Sequence, residues 1–422
     1  MDIGESSIQV KTVRQTCKGG CAILAKYFFR QLDLIDMRWF SSEIKHLPTA
    51  SGPYIPGCVD IMLDYSKNGL FLRLFYPSDA KNNNNKKWIP WIPNMLYLIG
   101  MSTVLKINYY ILRFVLWWYG ICHIPVLYRE RARVEENMKC IVLSHGLGGS
   151  RFLYSKISLD LASHGFLVAC VEHRDNSACH TYYYDNEESA RNNRKTAIDF
   201  RHIAFGKDHY EKRNEQVRNR SEECLKTVQF FIDLNDNKIP KNALDDLERG
   251  EFRLQDLAGK IDVDNFTLIG HSFGAATVLY TASKLPKIKQ AVLLDPWMFP
   301  IKNENLHETI DIPLLFINTQ TFHIDSNVKA MDRFLSKENR EMYTINDTTH
   351  ENQTDSVFVS RYWLDLFVKK ADPHLAMEIN NALILKFLHR YSNTPVETER
   401  FDRFLKENST YFKEGLTKPW KK

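Results

Sequence analysis

The residues best suited to chemistry in this chain are the Gly-His-Ser-Phe-Gly sequence at positions 270–274. The apolar run Phe266–Ile269 precedes it and small residues follow it, so the chain should turn sharply from a buried strand into a helix at Ser272. Gly270 and Gly274 suit such a strained turn, because a Cβ at either position would collide with neighbouring backbone. A Gly-x-Ser-x-Gly pattern arises by chance in roughly one chain in seven of this length, so the motif needs support from other residues.

A serine hydroxyl becomes an effective nucleophile when a histidine takes its proton and a carboxylate orients that histidine. For a serine on a strand-to-helix turn, the acid and then the histidine follow it in the chain, each on a loop after a strand. Asp295 ends the buried run Ala291–Leu294, and His350 follows the last buried run, Glu341–Ile345. We therefore predict that Ser272, Asp295 and His350 form a catalytic triad.

Other acids and histidines lie between the serine and the end of the chain, and each fits less well. Asp311 precedes its strand rather than ending it, and Asp325 lies in a polar stretch away from a strand end. His307 and His323 come before the last strand. His271 is fixed beside the serine, and we expect it to pack beneath that residue.

Such a triad also needs N–H donors for the oxyanion of the tetrahedral intermediate that the serine would form. The backbone N–H of Phe273, directly after the serine, is the first predicted donor. The second should come from a loop after an early strand, and the glycine-rich segment Ser144–Gly149 fits that description. We predict that Leu147 supplies it, while His145 has a structural role.

The elements that must hold these residues alternate between buried runs and helical segments, which predicts parallel strands joined by crossover helices. The expected fold is an α/β-hydrolase fold, a mostly parallel sheet of about eight strands flanked by helices, with an antiparallel hairpin first. The predicted strands are 57–64, 69–76, 140–144, 167–171, 266–269, 290–295, 314–318 and 341–345. The predicted helices include 22–35, 152–163 and 213–234, and the segment 185–213 is predicted as a loop.

No internal repeat or flexible linker divides the chain. We predict one catalytic domain over 48–391, with an N-terminal extension over 1–47 and a C-terminal extension over 392–422.

The segment from Trp88 to Leu127 is apolar and aromatic, but prolines and charged residues interrupt it. It is too broken for a convincing membrane-spanning helix. Two interpretations remain open: a pair of helices that covers the sheet, or a helical face that rests in a lipid interface. If the second holds, we expect membrane contact through Met95–Trp118.

Composition excludes some classes of function. The net charge is +5, but basic and acidic residues are interleaved, so we predict no nucleic-acid partner. The eight cysteines show neither a disulfide framework nor zinc spacing, and we predict no metal and no cofactor. The first residues lack an uninterrupted apolar signal, so we expect a cytoplasmic protein that can associate with membranes.

Several segments together resemble the platelet-activating factor acetylhydrolases, of the single-chain plasma and intracellular type II kind. The resemblance covers about 45–391. The segments that carry it are Gly52-Pro-Tyr54, Phe71-Leu-Arg-Leu-Phe-Tyr-Pro77, Ser144-His-Gly-Leu-Gly148, Leu161-Ala-Ser-His-Gly-Phe166, Val171-Glu-His-Arg-Asp175, Arg213-Asn-Glu-Gln-Val-Arg218, Gly270-His-Ser-Phe-Gly274 and Leu294-Asp-Pro-Trp-Met-Phe-Pro300.

The resemblance implies the same triad and oxyanion donors, and a calcium-independent esterase. Such an enzyme removes the sn-2 acetyl group of platelet-activating factor, or short and oxidised sn-2 chains of related phospholipids. Glu351 stands where the family usually has glutamine, and the glycines after Leu147 and the proline after Asp295 differ in detail. Two alternatives stay open: a general carboxylesterase on the same fold, and a catalytically silent lipid-binding member.

Overall fold

The structure is a computed structural model that describes residues 44–119, 121–245, 247, 250–360, 370–392 and 397–417. The predicted helix over 22–35 lies outside the described residues. The chain from Lys45 onward forms one compact unit.

A ten-stranded sheet forms the centre of this unit. Its strands, in spatial order, are β14, β13, β12, β11, β10, β6, β7, β2, β1 and β5. Their bounds are β1 Pro56–Leu63, β2 Leu70–Pro77, β5 Leu127–Tyr128, β6 Cys140–Ser144, β7 Leu167–Val171, β10 Phe266–His271, β11 Ile288–Leu294, β12 Leu314–Thr319, β13 Arg340–Ile345 and β14 Phe412–Glu414. Two-stranded sheets pair β3 (Ile89–Pro90) with β4 (His123–Ile124) and β8 (His180–Tyr183) with β9 (Thr196–Asp199).

The predicted α/β fold class is confirmed, and all eight predicted strands are present. In the central sheet, neighbouring strands pair in parallel along the series β7, β6, β10, β11, β12 and β13, while β1 and β2 form the antiparallel hairpin. The sheet exceeds the predicted eight strands because two very short strands, β5 and β14, add to its edges. Strands of two and three residues carry too little alternation for a sequence pattern to reveal them.

Helices cover both faces of the sheet, as the crossover pattern requires. They are α1 Met95–Leu105, α2 Tyr109–Tyr119, α3 Ser155–Ser163, α4 Glu187–Arg191, α5 His209–Asn235, α6 Phe273–Ala282, α7 Leu306–Thr309, α8 Asp325–Asp332, α9 Ser356–Ser360, α10 Pro373–Ser392 and α11 Glu399–Glu407. One apolar core joins α5 and α6 to the sheet, and a second joins α1, α3 and α10 to the opposite face.

The C-terminal segment corrects the predicted domain boundary at 392. Helix α11 buries Phe401 and Leu405 in the second core, and β14 pairs antiparallel with β13. The residues over 397–417 therefore complete the catalytic domain instead of extending beyond it. Sequence reasoning missed this, because an amphipathic helix alone does not show which surface its apolar face covers.

The predicted loop over 185–213 was wrong in part. It contains α4 and the strand β9, which pairs with β8 in a small sheet outside the central one. Strand β9 has only one buried residue, so its sequence lacks the alternation of apolar and polar residues that predicts a strand.

Helices α1 and α2 occupy the interrupted apolar segment. Among the described residues no single helix is long and apolar enough to cross a bilayer; α1 and Tyr109–Leu116 reach that length only together, with a 119° bend between them. Lys106, in the left-handed backbone region, ends α1 and makes the bend. Helix α1 buries Tyr97 and Leu98 against the rest of the protein. On this inner side, therefore, the helix covers the protein, as the first of the two interpretations predicts.

Candidate active site

Ser272 lies in a strained turn between β10 and α6. Its φ of 55° and ψ of −115° fall in a region that a residue with a side chain occupies at a cost of about 1–3 kcal/mol. Two backbone hydrogen bonds hold it there: its N–H donates to the Leu294 carbonyl at 2.9 Å, and its carbonyl accepts from the Trp297 N–H at 3.0 Å. The serine side chain is only 8% exposed. The surrounding fold therefore fixes this residue tightly.

The two flanking glycines are sterically required. A Cβ on Gly270 would lie 2.4 Å from the Gly274 carbonyl oxygen, and a Cβ on Gly274 would lie 2.0 Å from the Ser144 carbonyl oxygen. Backbone atoms cannot move aside as a flexible side chain can, so larger residues would displace the strand or the helix.

Asp295 and His350 contact each other at the edge of the sheet. Asp295 directly follows β11, with a φ of 43°, and His350 lies in the loop after β13. The His350 Nδ1 is 3.0 Å from Asp295 Oδ2. The carboxylate is fully buried and accepts two further hydrogen bonds, from the Thr319 N–H at 2.6 Å and from the Thr319 hydroxyl. These contacts fix which oxygen faces the imidazole.

The His350 ring is held between two other rings. Phe322 stacks on one side at a centroid distance of 3.9 Å, and His271 lies on the other at 4.3 Å. Because His271 precedes Ser272, the base lies beside the turn that carries the predicted nucleophile. The His350 side chain keeps 29% of its surface exposed, so a substrate can approach it. Glu351 is exposed to solvent.

His271 is a buried structural residue, as expected from its position. Its Nδ1 lies 2.8 Å from the Tyr154 hydroxyl, which also accepts a hydrogen bond from the Gly146 N–H at 2.9 Å. Burial holds the pKa of the His271 imidazole well below its usual range, and His350 adds to that effect. A neutral His271 places no permanent positive charge beside the predicted base. Through Tyr154 it also links the base to the glycine-rich loop.

The predicted oxyanion donors lie on two segments that approach each other. Phe273 opens α6, so its N–H has no acceptor within the helix. In the loop after β6, Gly146 and Gly148 both donate their N–H groups, to Tyr154 and to the Ser177 carbonyl. Within the described part of the chain, no acceptor is found for the N–H of Leu147 between them. The arrangement suits capture of a developing negative charge.

The competing residues lie elsewhere. Asp311 is exposed and faces Lys337, and Asp325 pairs with Lys329 on the surface of α8. His307 faces a neighbouring glutamate, and His323 lies buried in the loop after β12. Of the candidate acids and histidines considered, Asp295 and His350 are the pair that the structure brings into contact.

The same groups also resemble a cation site by distance alone. Potential ligand atoms of His271, Asp295 and His350 lie within 4.8 Å of one another. The Asp295 oxygens already accept from Thr319 and His350, and the His271 Nδ1 is engaged with Tyr154. This hydrogen-bond pattern fits an acid–base pair, because each oxygen facing the cluster already has a donor.

Sequence reasoning missed the residues that support the triad. Thr319 ends β12 at the same end of the parallel strands as Asp295. A polar residue at the end of a buried apolar run is the sequence pattern that could have identified it. Tyr154 and Phe322 gave no such signal, because each lies in an irregular segment whose position only the folded chain defines.

Comparisons with known proteins agree on one family. Residues 39–411 match the family model "Platelet-activating factor acetylhydrolase, isoform II". A platelet-activating factor acetylhydrolase of Bos taurus is 35% identical over 84% of this chain and 79% of its own length. The corresponding protein of Gallus gallus is 31% identical over 84% and 86%. A putative phospholipase A2 of Schizosaccharomyces pombe is 26% identical over 83% and 92%.

A solved structure supports the fold. A ferulic acid esterase from Streptomyces cinnamoneus superposes with a TM-score of 0.59 and 13% sequence identity, covering 88% of this chain and 99% of the esterase. This likeness concerns the fold alone.

Proposed function

The chain belongs to the platelet-activating factor acetylhydrolase isoform II family of carboxylic ester hydrolases, and we propose that it removes the sn-2 acetyl group of platelet-activating factor. Short or oxidised sn-2 chains of related phospholipids are the further substrates proposed. The observation that carries the proposal is the 3.0 Å contact between His350 and Asp295 beside the strained turn of Ser272. That arrangement, in a chain of this family, supports nucleophilic attack by the serine.

In the proposed mechanism, the His350 Nε2 takes the proton of the Ser272 hydroxyl as its oxygen attacks the sn-2 carbonyl carbon. The carbonyl oxygen becomes an oxyanion between the N–H groups of Leu147 and Phe273. When the tetrahedral intermediate collapses, the ester C–O bond breaks, and the His350 imidazolium gives its proton to the departing alkoxide oxygen, so that the lysophospholipid leaves with a hydroxyl group. Water then attacks the acetyl-serine by the same route, which releases acetate and restores the serine. Asp295 keeps the proton on Nδ1 and stabilises the imidazolium.

The experiment that tests this function measures product release from phosphatidylcholines that differ only in the sn-2 chain, from acetyl to palmitoyl. We expect fast acetate release and a steep loss of rate with long unoxidised chains. Equal rates along the series, with faster cleavage of simple esters, would favour a general carboxylesterase instead.

The nucleophile is tested by Ser272→Ala. We expect a folded protein that loses about 10³-fold or more in kcat and no longer reacts with a fluorophosphonate. A folded variant with near wild-type activity would exclude the proposed nucleophile. Absence of fluorophosphonate labelling in the wild-type protein would support a silent lipid-binding member.

We further propose that α1 and α2 contact the lipid aggregate from which the substrate is drawn. Large apolar side chains on their outer side remain exposed: Met95, Leu96, Ile99, Leu105, Tyr110, Ile111 and Phe114. Arg113 lies exposed among them and can extend toward lipid headgroups. Trp117 and Trp118, which the sequence suggested first, lie outside the described side chains.

The lipid contact is tested by Ile111→Ser with Phe114→Ser, since these side chains are 53% and 49% exposed. Full burial of such a side chain contributes about 1.5–3 kcal/mol, so transferring the exposed half of each should contribute about 1 kcal/mol. We expect vesicle binding to weaken by roughly 10- to 30-fold, while a soluble short-chain ester is cleaved at the normal rate.

The control for this test is Tyr411→Ser, which changes a similarly exposed ring beside the edge strand β14. It should leave vesicle binding unchanged. Equal weakening by both variants, or loss of soluble-ester activity in the double variant, would contradict the proposed surface.

The cellular location is also a proposal. Five cysteines in the described residues are free thiols: Cys122, Cys140, Cys170, Cys179 and Cys224. Free thiols suit a reducing compartment, and we propose the cytoplasm. Detection of the protein only in secreted fractions would contradict this.

A further inference from the structure

Arg220 is an unusual residue near the proposed oxyanion site. It lies on α5, and it is one of the largest side chains that are completely buried among the described residues. Burying a guanidinium is costly unless charged and polar partners surround it. Arg213 and Arg218 on the same helix are less completely buried than Arg220.

The Arg220 guanidinium holds both ends of the loop that carries Leu147. Its Nη1 donates to the His145 carbonyl at 2.6 Å, just before that loop. Its Nη2 and Nε donate to the Ser177 hydroxyl at 2.6 and 2.9 Å. The Ser177 carbonyl in turn accepts the Gly148 N–H at 2.7 Å, just after Leu147. Arg220 therefore holds the chain before Leu147 directly, through the His145 carbonyl, and the chain after it indirectly, through Ser177.

The same guanidinium contacts the other half of the site. Its central carbon lies 4.4 Å from the centre of the Phe273 ring, within the range of a cation–π contact. The two halves already approach closely, since a Cβ on Gly274 would lie 2.8 Å from the His145 carbonyl oxygen. A small shift of the loop would change the separation between the two N–H groups.

A buried carboxylate balances the charge of Arg220. Asp175 Oδ2 lies 3.2 Å from its Nε, and this carboxylate is buried with it. Burial lowers the pKa of the Arg220 guanidinium, and Asp175 opposes that shift.

We propose that Arg220 is a positioning residue for the oxyanion hole, which holds the N–H groups of Leu147 and Phe273 at the spacing that the tetrahedral intermediate requires. The inference rests on the proposed function, because it assumes that these two N–H groups bind the oxyanion. Arginine suits the task better than lysine, since its planar fork can donate to the His145 carbonyl and the Ser177 hydroxyl at once.

The test compares Arg220→Met and Arg220→Lys with the wild-type protein on a soluble short-chain ester. Removal of one oxyanion donor typically costs 10²–10³-fold in kcat, and we expect about 10²-fold for methionine and about 10-fold for lysine. KM should stay within about threefold, because the contact matters mainly in the transition state. A trifluoromethyl ketone, which forms a hemiketal oxyanion on the serine, should lose affinity by the same factor as kcat/KM.

The matched control is Arg218→Met on the same helix, whose side chain is 57% exposed and pairs with Glu304. It should keep kcat and ketone affinity within about twofold. A folded Arg220→Met protein with wild-type kcat would overturn the proposal. So would a lower kcat with unchanged ketone affinity, because the two N–H groups would then still bind the oxyanion of the ketone adduct as they do in the wild-type protein.

If Arg220→Met does not fold, Ser177→Ala tests the proposed role of Arg220 instead. It removes the hydroxyl that accepts from Arg220 and donates to Asp175, and we expect kcat and ketone affinity to fall together by about 5- to 10-fold. Unchanged values would overturn the proposal. Failure of the proposed substrate would appear separately, because it concerns hydrolysis of platelet-activating factor by the wild-type protein, whereas Arg220 is judged by ratios on a soluble ester.

Discussion

Replacement of Asp295 by asparagine should remove most activity while the fold survives. Asparagine tolerates the left-handed backbone at this position as well as aspartate does, so the turn after β11 should persist at a φ near 43°. The side-chain oxygen Oδ1 would still accept from the Thr319 N–H. The amide nitrogen would replace Oδ2, which now faces His350 Nδ1 at 3.0 Å.

The consequence follows from the direction of that hydrogen bond. An amide N–H would donate to His350 Nδ1, so the imidazole would carry its proton on Nε2 and could not accept the proton of Ser272. The wrong tautomer lowers kcat by about 10⁴-fold, or about 5.5 kcal/mol in the activation free energy. The lost charge-assisted bond to the Thr319 hydroxyl should also lower the free energy of unfolding by about 1–3 kcal/mol.

The assay measures kcat and KM on a soluble ester, with thermal unfolding on the same preparations. Asp311→Asn is the matched control, because that side chain is 90% exposed and lies 3.7 Å from Lys337. It should leave kcat within about twofold. A folded Asp295→Asn protein within tenfold of wild-type kcat, or a damaging Asp311→Asn, would refute the assignment of the acid.

Three other predictions follow from the geometry. Gly274→Ala should lower the free energy of unfolding by about 1–3 kcal/mol and reduce kcat, because its Cβ would meet the Ser144 carbonyl oxygen, whereas Gly206→Ala meets nothing within 4 Å and should be neutral in thermal unfolding and kinetic assays. Burial raises the pKa of Asp355 to about 7, so the native state keeps a proton that the unfolded chain releases. The free energy of unfolding should therefore fall by up to about 4 kcal/mol between about pH 4 and pH 7, and urea titrations of Asp355→Asn should lose this slope; a slope of the opposite sign would contradict the reasoning. Activity should persist in excess EDTA, since the proposed chemistry uses Asp295 and His350 as an acid–base pair; inhibition that calcium reverses would argue against it.

The sequence by itself determined the main architecture. Buried β-branched runs and helical spacing predicted eight central strands, several to within one or two residues, because a parallel sheet covered on both faces requires continuous apolar segments. It also indicated where the reactive groups lie, since the ends of strands after a serine turn are few. Asp295 and His350 were selected by that order, and the structure places them in contact.

Only the tertiary structure decided how those groups are held. Thr319, Phe322 and Tyr154 come from separate segments, and their contacts with the triad depend on the packing of loops rather than on any local pattern. The edge strand β14 was likewise missed, because three residues acquire strand geometry only when β13 offers its free edge. Arg220 lies in a helix rich in charged residues, yet its side chain is fully buried between the two halves of the proposed oxyanion site. Local sequence encodes the period of an element, whereas the burial of a single charge depends on partners distant in sequence that only the folded chain brings within hydrogen-bonding distance.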